Sequence, residues 1–155
     1  MPFTVNNELT LSCPEGFAEM TPNELERAFS YRDARIFGIR DTERHIVITI
    51  TWHKVNVFLA ALSDPASTLR SAEFRLRRAL SRYGFKKTGS LTRTLAGQTA
   101  KGFGYSFQVS GLIREGEVWM IRKKNCYYTV YTYARKPVSQ ENRAVIEGIL
   151  KSMEV

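Results

Sequence analysis

The sequence predicts an α+β fold: an antiparallel sheet of about six to seven strands with helices packed on its faces, an α/β/α sandwich. Three observations carry this expectation. Residues 45–53, "HIVITITWH", place Ile46, Ile48, Ile50 and Trp52 on one face and Val47, Thr49, Thr51 and His53 on the other. Between residues 90 and 134 four strand-like runs follow one another, joined by connectors too short for crossover helices. Between them, residues 64–83 carry a long amphipathic pattern.

Size and composition suit one domain, residues 1–155, with a real core. Hydrophobic content of 43% with 25% charged residues excludes global disorder. No repeat, low-complexity linker or domain boundary stands out. The start "MPFTVNNELTL" lacks the basic and apolar regions of a signal peptide. Apolar runs such as "VFLAAL" at 57–62 are too short to span a bilayer. A cytoplasmic location is expected. Cys13 and Cys126 lie far apart and form no Cys-x-x-Cys pair, so buried free thiols are expected.

In chain order, "LTLSC" (9–13) reads as a short strand. Thr21 is then an N-cap, Pro22 occupies N1, and Glu24 completes a capping box. Met20 and Leu25 supply the hydrophobic staple, and this short helix ends near Phe29. "ARIFGIR" (34–40) and 45–53 form a hairpin across the polar "DTER". "VNVFLAAL" (55–62) reads equally as helix or loop. Asp64-Pro65 starts the long helix, which runs to Tyr83 and stops at Gly84. Leu69, Ala72, Leu76, Leu80 and Tyr83 form its apolar stripe. Four strands follow: "SLTRTL" (90–95), "GFGYSFQVSG" (102–111), "EVWMIRK" (117–123) and "YYTVYTYA" (127–134). Their connectors "AGQTA", "IREG" and "KKN" carry turn residues. Pro137 ends the last strand, and Ser139 caps a closing helix with Ile146, Ile149, Leu150 and Met153 as its stripe.

Charge is concentrated. Arg70, Arg75, Arg77, Arg78 and Arg82 lie on the long helix, with Lys86, Lys87, Arg93 and Lys101 after it. Only Glu73 opposes them in this stretch, which therefore accounts for the entire net charge of +8. Such a surface attracts an acidic protein, a nucleic acid or an anionic lipid without choosing among them.

"KGFGYSFQ" (101–108) matches the first five positions of the RNP1 signature of RNA-binding RRM domains. The element order argues against that reading. An RRM needs a helix after RNP1 and a partner RNP2 strand upstream; here two strands follow, and the arginine-rich helix lies upstream. Parity argues further. Phe103, Tyr105, Phe107 and Val109 share one face, and Gly102, Gly104, Ser106 and Gln108 the other. Burying one Phe is worth about 1.5–3 kcal/mol, so the aromatic face is assigned to the core. The glycine face is left thin enough for a helix or partner to approach. In "YYTVYTYA" both faces hold bulk, which predicts a central strand covered on both sides. Tyr127, Tyr131 and Tyr133 share one of those faces, and the alternative is an aromatic wall of a binding groove.

No catalytic signature is present: no Gly-x-Ser-x-Gly, His-Glu-x-x-His, P-loop or Rossmann glycine pattern. His45 and His53, placed on one strand, are about 25 Å apart at strand rise and cannot share a metal. Asp41 and Glu43 read as solvated turn carboxylates, as do Glu115 and Glu117 around Gly116. The reading is therefore not an enzyme, with no catalytic, metal or cofactor site.

The opening turn "CPEGF", the glycine-marked strand "GFGYSF", the meander "VWMIRKKNCYYTVYTYA" and the closing "ILKSMEV" together resemble the PsbP-like family. That group includes the extrinsic photosystem II subunit, a nuclear Ran-binding protein and small bacterial members, among them the Eag-type chaperones of secreted effectors. Phe17 stands where Trp is frequent in the opening turn. The resemblance implies a sheet between helices and binding without catalysis, and it offers no catalytic residues. The leading expectation is a non-enzymatic adaptor or chaperone-like domain that binds a partner protein, acidic or not, through a sheet face or edge beside the basic helix. Its candidate surface is Arg70, Arg75, Arg77, Arg78, Arg82, Lys86 and Lys87, with Tyr127, Tyr131 and Tyr133. Two alternatives stand beside it. One is polyanion binding (nucleic acid or anionic lipid) through Arg70–Lys101. The other is an Eag-like chaperone for apolar helices of a secreted effector.

Overall fold

Alternation in residues 46–54 builds the centre of the molecule. In the computed structural model, which describes residues 1–29, 35–56 and 65–155, this run pairs with a neighbour on each side. The elements in chain order are β1 (Pro2–Val5), β2 (Leu9–Ser12), β3 (Ala18–Glu19), α1 (Pro22–Phe29), β4 (Ile36–Asp41) and β5 (Ile46–Lys54). Then come α2 (Pro65–Ala79), β6 (Lys86–Leu95), β7 (Gln98–Val109), β8 (Leu112–Lys123), β9 (Cys126–Arg135) and α3 (Gln140–Lys151). The main sheet has seven strands in the order β3-β4-β5-β9-β8-β7-β6, all antiparallel, and β1–β2 form a separate hairpin. After β5 the chain crosses to the far edge and meanders back until β9 lies beside β5. The expected Asp64 start and residues 57–62 of the ambiguous segment lie outside the described residues.

Each face of the sheet has its own core. Ile46, Ile48 and Ile50 pack with Trp119, Tyr128 and Val130 under α3 and the β1–β2 hairpin. Phe103, Tyr105, Phe107, Val118 and Tyr131 pack with Ala72, Leu69, Leu76 and Leu80 of α2. Phe103 is 1% exposed, so the aromatic face of the RNP1-like strand is core. β9 is the central strand, as its two bulky faces require. The predicted caps form. Thr21 and Glu24 exchange backbone-to-side-chain hydrogen bonds of 3.4 and 3.2 Å, and Ser139 Oγ accepts from Asn142 N at 3.0 Å. Cys13 and Cys126 are free and buried. Burial pushes the Cys13 thiol up to about 11, with the N-terminal ammonium opposing, which is unsuited to a nucleophile.

Four expectations are corrected. Tyr83 is 42% exposed: a 3-10 turn at Ser81–Tyr83 breaks the helical spacing, and Phe85 takes its place in the core. "IREG" is not a connector. The turn falls at Ser110-Gly111, both at positive φ, which suits a two-residue hairpin. Glu115 and Glu117 therefore sit within β8. His45 lies in the turn before β5, at φ 57°, not on the strand. Asp41 is buried, not solvated. It accepts from the backbone N–H groups of Glu43 and Arg44 at 3.0 Å and from the Arg44 guanidinium. Arg44 Nη1 also donates to Glu15 O at 3.1 Å, tying the opening turn to this hairpin.

Candidate binding surface

On α2, the spacing of Arg70, Phe74, Arg77 and Arg78 puts them on one outward stripe, away from the buried Ala72. Phe74 is 65% exposed, the most exposed of the protein's described large apolar side chains. Glu73 is the only acid in the described helix. It pairs with Lys87 at 2.9 Å and Arg77 at 3.2 Å, and these hydrogen bonds, led by Lys87, hold its carboxyl below the ordinary value. The Arg77 guanidinium also lies 5.0 Å from the Phe85 ring centre. Arg70, Arg78 and Arg82 are exposed and have no carboxylate partner among the described residues. Lys86 and Lys87 extend the cationic surface onto the edge strand β6, where residues 86–92 are all exposed.

The ten sequence-predicted residues do not form one surface. Arg75 turns from the outer stripe toward the sheet, where it lines two cavities with residues of β5. Tyr127 is fully buried and offers no surface. It stacks on His53 with ring centres 5.6 Å apart, and the Arg122 guanidinium lies 5.4 Å from its ring. Tyr131 is buried and Tyr133 half-buried. Both line a cavity of about 210 Å³ under α2, with Phe29 of α1 on another wall. Arg93 also leaves the patch. It lies on the opposite sheet face, bidentate to Glu147 of α3 at 2.6 and 2.9 Å, with its guanidinium 5.6 Å from the Trp119 ring centre. The Arg70–Lys101 stretch is thus split between two faces by strand alternation.

Sequence reading missed two features. One is Phe74, which sits in the helical pattern like any apolar residue until the stripe's orientation is known. The other is a groove of about 580 Å³ between α3 and strands β6–β9, with Gly104, Glu115, Glu117 and Ile146 among its walls. The thin glycine face was its only signal. Arg143 pairs with Glu115 there at 2.9 Å. Burial pushes the Glu117 carboxyl above its ordinary value, with Arg93 opposing.

No protein-family model and no curated protein sequence matches the chain. Solved structures do. Over its whole length the chain superposes on cyanobacterial PsbP (CyanoP) from Synechocystis with a TM-score of 0.73 at 11% identity, covering 91% of that chain. The Ran-binding protein Mog1p of Saccharomyces cerevisiae matches 96% of this chain and 90% of its own, with a TM-score of 0.60 at 8% identity. A Bacteroides thetaiotaomicron structure matches 99% of this chain with a TM-score of 0.66 at 11% identity; this chain spans 47% of that longer one. A seven-stranded antiparallel sheet between helices and these superpositions together show that the chain has a PsbP-like fold.

Proposed function

We propose that this chain is a non-enzymatic protein-binding domain, adaptor or chaperone-like, whose outer α2 face holds an acidic segment of a partner protein. The observation that carries the reading is Phe74, exposed in a stripe of arginines. An aromatic anchor ringed by arginine is the composition of interface hot spots. Arg70, Arg78 and Arg82 lack carboxylate partners among the described residues, so an acidic partner gains charge pairing without first breaking internal ion pairs. Mog1p, which shares this fold, is a Ran-binding protein, and that supports a role in protein recognition. An apolar helix, as an Eag-like role requires, would meet Glu115 and Glu117 in the open groove of the opposite sheet face, at a desolvation cost.

Affinity purification from native lysate tests the reading, with Phe74→Ser and Arg78→Glu beside the wild type. The expected result is a protein with an acidic segment, retained by the wild type and lost from both variants. Retention by both variants rejects α2 as the surface. Salt-sensitive binding of the pure chain to DNA, RNA or heparin at about 50 mM salt would favour the polyanion reading instead.

A further inference from the structure

The seam between α2 and β5 is polar where a helix-on-sheet contact is ordinarily apolar. Ser67, Ser71 and Arg75, spaced by four residues, run along the side of α2. They face Thr51 and His53 of β5 and Arg35 across a cavity of about 280 Å³. Among the described residues no carboxylate lines it. Arg75 has no ion partner among the described residues. The imidazole of His53 is held below its ordinary pKa by burial first, then by the nearby charges of Arg75 and Arg35. The site is thus cationic and hydroxyl-lined, with Ser71 Oγ donating to Ser67 O at 3.2 Å.

Arg75 and Thr51 also form a wall of the second cavity, about 210 Å³, whose other walls include Phe29, Leu76, Leu80, Tyr131 and Tyr133. A cationic, hydroxyl-lined chamber and an apolar aromatic one therefore share Arg75 and Thr51 as walls. We infer that these adjoining cavities bind a small amphipathic organic anion, its oxyanion head on Arg75, His53 and the Ser67 hydroxyl and its apolar or aromatic body against Phe29 and Tyr131. Each chamber supplies what one end of such a molecule lacks in the other, the mix of apolar walls and few convergent polar groups typical of ligand sites. The site lies on the sheet side of α2, so it stands or falls independently of the Phe74 surface.

Titration calorimetry with phenylbutyrate tests this, with phenylbutanol as the uncharged match and acetate as the head alone. Phenylbutyrate should bind with Kd near or below about 1 mM. Phenylbutanol, and phenylbutyrate with Arg75→Gln, should each bind at least about tenfold more weakly because a charge-assisted hydrogen bond is lost. Acetate, which keeps the carboxylate, should bind at least about tenfold more weakly because it buries no apolar body. Arg75 is exposed, so this variant keeps its fold. By linkage, bound phenylbutyrate should raise the His53 pKa followed by NMR. No saturable binding, equal binding of acid and alcohol, or unchanged affinity in Arg75→Gln would each overturn the inference.

Discussion

Phe103→Ala tests the assignment of the RNP1-like strand to the core. Phe103 is 1% exposed and packs with Ala72, Tyr105, Val118 and Tyr131 beneath α2. The Lys87 ammonium lies 5.6 Å from its ring centre on the edge side. Truncation removes the transfer free energy of the ring and leaves a cavity that the rigid sheet closes only in part. The expected loss is about 3–5 kcal/mol. A domain of this size holds roughly 5–15 kcal/mol, so the loss is a large fraction of the whole. In urea, with a slope of about 2 kcal/mol/M, the midpoint should fall by about 2 M. The melting temperature should fall by about 10 °C. Phe74→Ala is the matched control, because its ring is 65% exposed, and should cost no more than about 0.5 kcal/mol. A loss below about 1 kcal/mol in Phe103→Ala, at unchanged slope, would refute the parity argument.

Asp41→Asn should cost about 2 kcal/mol, because two backbone donors and the Arg44 guanidinium lose a charged acceptor. Burial alone would raise the Asp41 carboxyl, but the Arg44 and Glu43 groups together hold it below the ordinary value. Its contribution is therefore full above about pH 3.9 and lost as pH falls through the lower folded value; acid unfolding curves of the variant should lack that part of the slope. Gly102→Ala should be at least about 3 kcal/mol destabilising by urea melt, since its Cβ would sit 2.0 Å from the Val118 carbonyl oxygen and 2.8 Å from the Trp119 ring. His53 is depressed in the folded state, so its contribution is full above about pH 6.5 and declines as pH falls below it. His53→Gln should flatten stability over that range.

Much of the architecture was legible because it is written in periodicity. The alternation of Ile46, Ile48 and Ile50 and the parity of Phe103, Tyr105 and Phe107 name the buried faces before any partner strand is known. The caps at Thr21 and Ser139 are local hydrogen-bonding devices and appear where sequence puts them. What escaped was set by tertiary context. β1 and the two-residue β3 are short: β1 is defined by its hairpin with β2, and β3 by the pairing of Ala18 and Glu19 with Arg40 and Ile39. The turn before β8 was misplaced because Gly116 resembles a turn residue. In fact Gly116 is a glycine because Thr132 O of β9 lies 1.8 Å from where its Cβ would be. The cationic site was only half legible. Composition located the charge, but strand parity sent Arg93 to the opposite face and helix orientation put Arg75 on the walls of the cavities beside β5. Tyr127 was placed on the right face of β9, yet the covering elements bury it.

Site-specific photo-crosslinking in the native cell can capture an acidic protein segment on the outer face of α2. A benzophenone amino acid is placed at Phe74, with Thr99 on β7 as the exposed control position. A discrete protein adduct is expected at the Phe74 position, containing an acidic segment, absent at Thr99, and lost when Arg70 and Arg78 are replaced by Glu. Crosslinks to nucleic acid at that position, or the same adducts at both positions, would contradict it.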